Sequence, residues 1–164
     1  MNLFSTLALG FTAGLRSMSA PAAASWASRR YSDDRTGNHL SFLSHGSTPA
    51  VLTALAVGEL IADKLPIIPD RTSPPAFIGR IVTGAISGAA CNPENLAPGA
   101  MLGAAAAAAG TVAGSALRSR LAFVFGRDLP AALVEDALVV LLLSLAVSNL
   151  RPQNSLADAR IDRE

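Results

Sequence analysis

Glu59 and Asp63 stand four residues apart in the stretch GELIADKLPIIPDRTSPP, residues 58–75. In a helix that spacing turns both carboxylates to one face, where they repel by about 0.2–0.5 kcal/mol unless a cation compensates. A second acidic pair, Glu135 and Asp136, lies near the start of the segment PAALVEDALVVLLLSLA, just after Pro130. Two cations answer them: Arg16 and Arg118 each sit within or beside an apolar run. Ion pairs between the two sets would lower the cost of burying either. The chemistry open to such a set is electrostatic. Arg16, Glu59, Asp63, Arg118, Glu135 and Asp136 are candidates to line a polar pocket in which an ion or small polar solute binds or passes. The competing reading makes them structural pairs and interfacial anchors, with Lys64 and Arg80 snorkelling to headgroups.

Other chemistry has less support. His39 and His45 are six apart in a polar stretch without Cys or suitably spaced acids, so no metal site is expected. Cys91 is the single cysteine, has no partner for an intrachain disulfide, and reads as a packed small apolar residue. No G-x-S-x-G, P-loop or H-E-x-x-H occurs. Acid pairs alone do not define a reaction, so neither catalytic residues nor a cofactor are expected.

The elements that carry these charges belong in a bilayer. Of 164 residues 51% are apolar and 15% charged, against about 25% charged in an average soluble domain. Mean hydropathy is +0.41. Net charge is +1 with no basic stripe along any segment, which argues against nucleic acid as a partner and leaves the lipid bilayer. Abundant Ala and Gly with few aromatics point to closely packed helices and an all-α fold. Residues 1–150 are expected to form a single integral membrane domain of the bacterial cytoplasmic membrane, crossing several times, and 151–164 a polar tail.

About five transmembrane helices can be traced. Residues 2–15 are apolar, and the apolar character resumes after Arg16 as far as Trp26, giving one spanning helix with a bend at Pro21. AAASWA resembles a signal cleavage site, but no Lys or Arg precedes the run and Arg16 interrupts it. Residues 49–65 form a second helix that starts at Pro49 and stops before Pro66. Residues 76–91 form a third, shorter than the ~20 residues a bilayer needs. Residues 96–117 carry no charge and form the clearest span. Residues 131–149 form the fifth: its ten Leu and Val contribute roughly −3 to −6 kcal/mol, while Glu135 and Asp136 would each cost about +2.5 to +3.5 at the bilayer centre. These two acids must therefore lie near an interface or face partners inside the bundle. Between the second and third helices, Pro66, Pro69, Pro74 and Pro75 are expected to hold a rigid, non-helical connection at the mouth of the pocket.

Packing is written in the glycines. Gly10 and Gly14, Gly84 and Gly88, Gly99 and Gly103, Gly110 and Gly114 are pairs spaced four apart in apolar segments, the pattern of close backbone contact. A compact bundle follows, and the same surfaces suit a homo-oligomer. Five spans would place Arg29, Arg30, Arg35, Arg151, Arg160 and Arg163 on one side and Lys64, Arg71, Arg80, Arg118, Arg120 and Arg127 on the other. That is six against six, so the positive-inside bias selects no orientation. TAGLRSMSAP and VAGSALRSRLAF also echo each other, each followed by a polar connection, a proline and a helix carrying acids. With three spans before the fourth, these halves would enter the membrane in opposite directions, as an inverted repeat of helix pairs.

The motifs AGLRS, GELIADKLPIIPD and PAALVED, with Arg80 opening one Gly-rich helix and Arg118 closing another, resemble a family of bacterial integral membrane proteins known as domain of unknown function 4126. The resemblance covers most of residues 4–150. Ile81 after Arg80, and FGRDLP before the last helix, depart from the family's usual pattern and mark a divergent branch. The resemblance implies a multi-span membrane protein and brings no activity with it. The expectation is a small transporter or channel with a charged site between two repeats. The alternative is a non-catalytic component that organises partners or lipids.

Overall fold

The computed structural model describes residues 2–31, 43–62 and 73–150. Among them the chain is entirely helical, in six helices: α1 Leu3–Leu15, α2 Ser19–Tyr31, α3 Thr48–Ala62, α4 Pro74–Ala90, α5 Leu96–Phe125 and α6 Asp128–Asn149. The polar tail 151–164 lies outside the described residues.

Local sequence explains most boundaries. Asn2 caps α1, its side chain accepting the Ser5 N–H at 3.3 Å. Pro74 and Pro75 occupy the first turn of α4, where a missing N–H costs nothing. They therefore open a helix rather than extend the non-helical connection expected there; Pro66 and Pro69 lie outside the described residues. Gly126, at φ 65°, ends α5 in the left-handed conformation that a side chain resists, and α6 begins two residues later.

The first helix is the main correction to the sequence reading. The chain does not bend at Pro21, which sits harmlessly in the first turn of α2. It breaks at Arg16, whose backbone is extended (φ −143°, ψ 116°), and then reverses. The reversal is visible at both ends. At the start of α1, the Asn2 side chain donates to the Asn149 carbonyl at 2.7 Å, and Ser5 Oγ donates to the Ala146 carbonyl at 2.9 Å. At the far end of α2, Ala23, Trp26, Ala27, Arg29 and Arg30 line a groove of about 390 Å3 together with Val147. Both arms thus reach the C-terminal end of α6. Residues 3–31 form a helical hairpin with Arg16 at its tip, and each 13-residue arm is about 20 Å long.

Small residues set the remaining directions. Added Cβ atoms on Gly10 and Gly14 would overlap Gly103 and Ala106, then Ala107, Gly110 and Thr111, while Gly114 faces Leu15. Position increases together in α1 and α5, so these two helices run parallel. Gly84 faces Gly103 and Ala107, and Gly88 faces Gly99 and Gly103, so α4 runs antiparallel to α5. All eight glycines at four-residue spacing lie against a neighbouring helix. α6 is antiparallel to α1, and α3 to α2, where Trp26 Nε1 donates to Thr53 Oγ1 at 3.0 Å.

This order disagrees with an inverted repeat of the helix pairs in residues 1–65 and 97–150. The two Arg-bearing helices α1 and α5, which such a repeat requires to be opposed, are parallel neighbours. Their local structure differs too: α1 breaks at Arg16, whereas α5 continues through Arg118 to Phe125. The physical reason is the hairpin, which replaces the first crossing by a reversal.

Polar and charged side chains share the interior with an Ala- and Leu-rich core, and large apolar ones face outward. Arg16, Arg80, Glu135, Asn92, Thr6, Thr12 and Thr111 are buried, while Leu55, Val57, Ile61, Met101, Phe123, Leu133 and Leu141 face outward. Two helices, α5 and residues 129–149 of α6, are long and apolar enough to cross a membrane.

Candidate functional site

The hairpin tip is where the charges meet. The broken backbone of residues 16–18 exposes peptide groups that an uninterrupted helix would satisfy internally. Two are covered from α3: the Glu59 carboxylate accepts the Ser17 and Met18 N–H groups at 2.8 Å each. A negative charge at the positive end of α2 also complements the helix dipole. On the α1 side, the Gly14 carbonyl accepts Thr111 Oγ1 at 3.1 Å. Glu59 is therefore a tertiary cap that holds the break open.

Arg16, only 1% exposed, pairs through Nη2 with Asp136 of α6. The preceding residue of α6, Glu135, is 2% exposed and has Arg118 Nη1 of α5 at 3.8 Å from its Oε2. Thus Arg16, Glu59, Arg118, Glu135 and Asp136 come together around one end of the bundle. Arg16 forms an ion pair with Asp136, while Glu59 binds the backbone next to Arg16. Asp63 and Lys64 lie outside the described residues.

Arg80 is the residue whose place differs most from expectation. It does not snorkel: it is 6% exposed on α4, within electrostatic range of Glu59, Glu135 and Arg16. Its Nε–H is buried without an acceptor, and no carboxylate among the described residues pairs with its guanidinium. The sequence held a signal for this. Arg80 precedes Gly84 by four and Gly88 by eight, so it shares the face those glycines press against α5.

A second polar layer closes the opposite end. The Asn2 N–H donates to Asn92 Oδ1 at 2.9 Å, and Asn92 Nδ2 donates to Thr6 Oγ1 at 2.6 Å and to the Gly88 carbonyl at 2.9 Å. These bonds satisfy the ends of α1 and α4 without any charge. Cys91 packs partly buried against the central Ala-rich cluster. Among the described residues no group of three His, Cys, Asp or Glu side chains could hold a metal ion.

The arrangement is suited to electrostatics rather than to covalent chemistry. Among the described residues it gathers three cations and three carboxylates in a largely buried volume. Comparison of the chain with protein-family models, with curated proteins and with solved structures finds no match.

Proposed function

We propose that this is a multi-pass integral protein of the bacterial cytoplasmic membrane, in the manner of the family it resembles, and that it is a small transporter or channel for an ion or small polar solute. The observation that carries the membrane reading is buried charge combined with exposed apolar surface: Arg16 and Glu135 are almost wholly buried, while Met101 is 74% and Phe123 90% exposed. In water that distribution would waste apolar burial and strand charge; in lipid both terms reverse sign. α5 and α6 cross, at about 45 and 33 Å of helix. α3 and α4 cross as shorter companions, and the α1–α2 hairpin enters and leaves on one side. Its irregular backbone sits where irregular backbone is tolerated in a membrane, inside protein and capped by a side chain.

The transport reading rests on the buried charge cluster, since ionisable groups inside a bundle commonly mark solute pathways. One observation favours the other reading, a non-catalytic structural or partner-organising protein: Glu59 is committed to backbone amides, as a structural cap would be. Alkaline carbonate extraction tests the first level, and the protein should stay in the membrane pellet. Reconstituted liposomes test the second. Ion or solute flux that disappears on Arg80→Gln supports transport, whereas intact protein with no flux above empty vesicles leaves the structural reading.

A further inference from the structure

Among the described residues, each charged group around the hairpin tip is matched except Arg80. Asp136 is matched with Arg16, Glu135 with Arg118, and Glu59 with the start of α2. Arg80 contributes a full positive charge to the same buried volume and is matched with none of them. Glu59 and Glu135 offset part of its field at longer range, but its buried Nε–H has no acceptor. Buried guanidinium groups are ordinarily both paired and hydrogen-bonded, because leaving them otherwise is strongly unfavourable.

We propose that Arg80 is the ligand-binding residue of an internal site for a small monovalent anion. The surroundings select that class. On the α4 face that Arg80 shares, Gly84 and Gly88 hold the α4 backbone against α5, which favours a small anion over a bulky organic one. The neighbouring Glu59 and Glu135 carboxylates repel a second negative charge, which disfavours sulfate or phosphate dianions. A halide or nitrate fits both limits. Its single charge completes the pairing at Arg80, and the guanidinium N–H groups supply donors for it. The inference deepens the transport reading by naming the solute class, and rests on it only for movement; binding stands by itself.

The test uses the full-length protein in detergent at constant ionic strength, with sodium gluconate exchanged for sodium chloride, bromide or nitrate. Saturable broadening of the 35Cl resonance that bromide and nitrate reverse, together with a rise in melting temperature under chloride, is expected for the wild type. Arg80→Gln should weaken chloride binding roughly tenfold or more. Should that variant not fold, Arg80→Lys, which keeps the charge and loses the planar fork, should bind with lower affinity. No saturable chloride effect on the wild type, or an undiminished effect in Arg80→Gln, overturns the anion site. Liposome flux separates the two claims. Saturable binding without chloride flux removes transport and keeps the site; sodium or proton flux without any anion binding removes the site and keeps transport.

Discussion

Glu59 receives the backbone N–H of Met18 at 2.8 Å across 41 residues of sequence, and with it the neighbouring N–H of Ser17. A side chain of α3 therefore does for α2 what an N-cap residue ordinarily does within its own chain segment. The hairpin depends on this bond for its shape.

Glu59→Gln should accordingly act on stability. The amide keeps one acceptor oxygen and loses the charge that favours the helix start, so about 1–3 kcal/mol of folding free energy should disappear. The melting temperature in detergent should fall, and Glu59→Ala should fall further. An unchanged melting temperature for Glu59→Gln, with loss of flux, would return Glu59 to the role of solute ligand.

Asp136→Asn leaves Arg16 facing a neutral group inside the bundle. Breaking a buried pair from one side typically costs about 3–5 kcal/mol, whereas replacing both members by apolar residues of similar volume is often neutral. The double variant Arg16→Met with Asp136→Leu should therefore be more stable than Asp136→Asn alone. Chemical or thermal denaturation of the three proteins checks the order, and a double variant that is the least stable would show that Arg16 has work beyond this pair.

Gly103→Ala should be among the most damaging small substitutions in the chain. Its Cβ would overlap the Gly84 carbonyl oxygen, and α4 and α5 could admit it only by moving apart. Gly58→Ala and Gly79→Ala meet nothing within 4 Å and should be neutral or stabilising by up to about 1 kcal/mol. Melting temperatures of the three variants test the contrast, and equal effects would refute the packing.

If the protein crosses the membrane as proposed, reporters placed before α1 and after α6 should report the same side, because α1 starts beside the end of α6. One continuous first span would put them on opposite sides. Paired fusions with a cytoplasmic fluorophore and a periplasmic phosphatase read this directly.

The glycine pairs were legible in the sequence because their cause is local: residues four apart share a helix face, and only glycine lets two backbones touch there. The helices from 48 onward were legible in part, with Pro49 and Pro130 marking two of their starts; Pro74 was assigned to the connection although it opens α4, and the sequence reading ended α5 at 117, eight residues short of Phe125. The break at Arg16 was not. Nothing within TAGLRSMSAP forbids a helix, and the groups that stabilise the break, Glu59 and Asp136, arrive from distant segments. Pro21 drew the bend to itself because a proline inside a helix kinks it, yet in a first turn it does not. Arg80 was misread by treating it as the end of a helix, when its spacing to Gly84 already placed it on the packed face. The charged residues themselves were found by type, but their pairing depends on helix direction, and the hairpin changed it.

The distance in sequence between Arg16 and Asp136, 120 residues, is also an interval of time. At about 5–20 residues per second, roughly 6–24 s separate the synthesis of the two. Met18 waits about a third as long for Glu59. If the chain inserts as proposed, the hairpin tip carries during that interval a charge and open peptide groups that no lipid chain can satisfy, and it has to rest at the headgroup level or against the insertion machinery. The segment made first is thus seated last, when α6 comes down beside it. A chain truncated before α6 would be expected to leave its own beginning at the surface, as a substrate for membrane proteases.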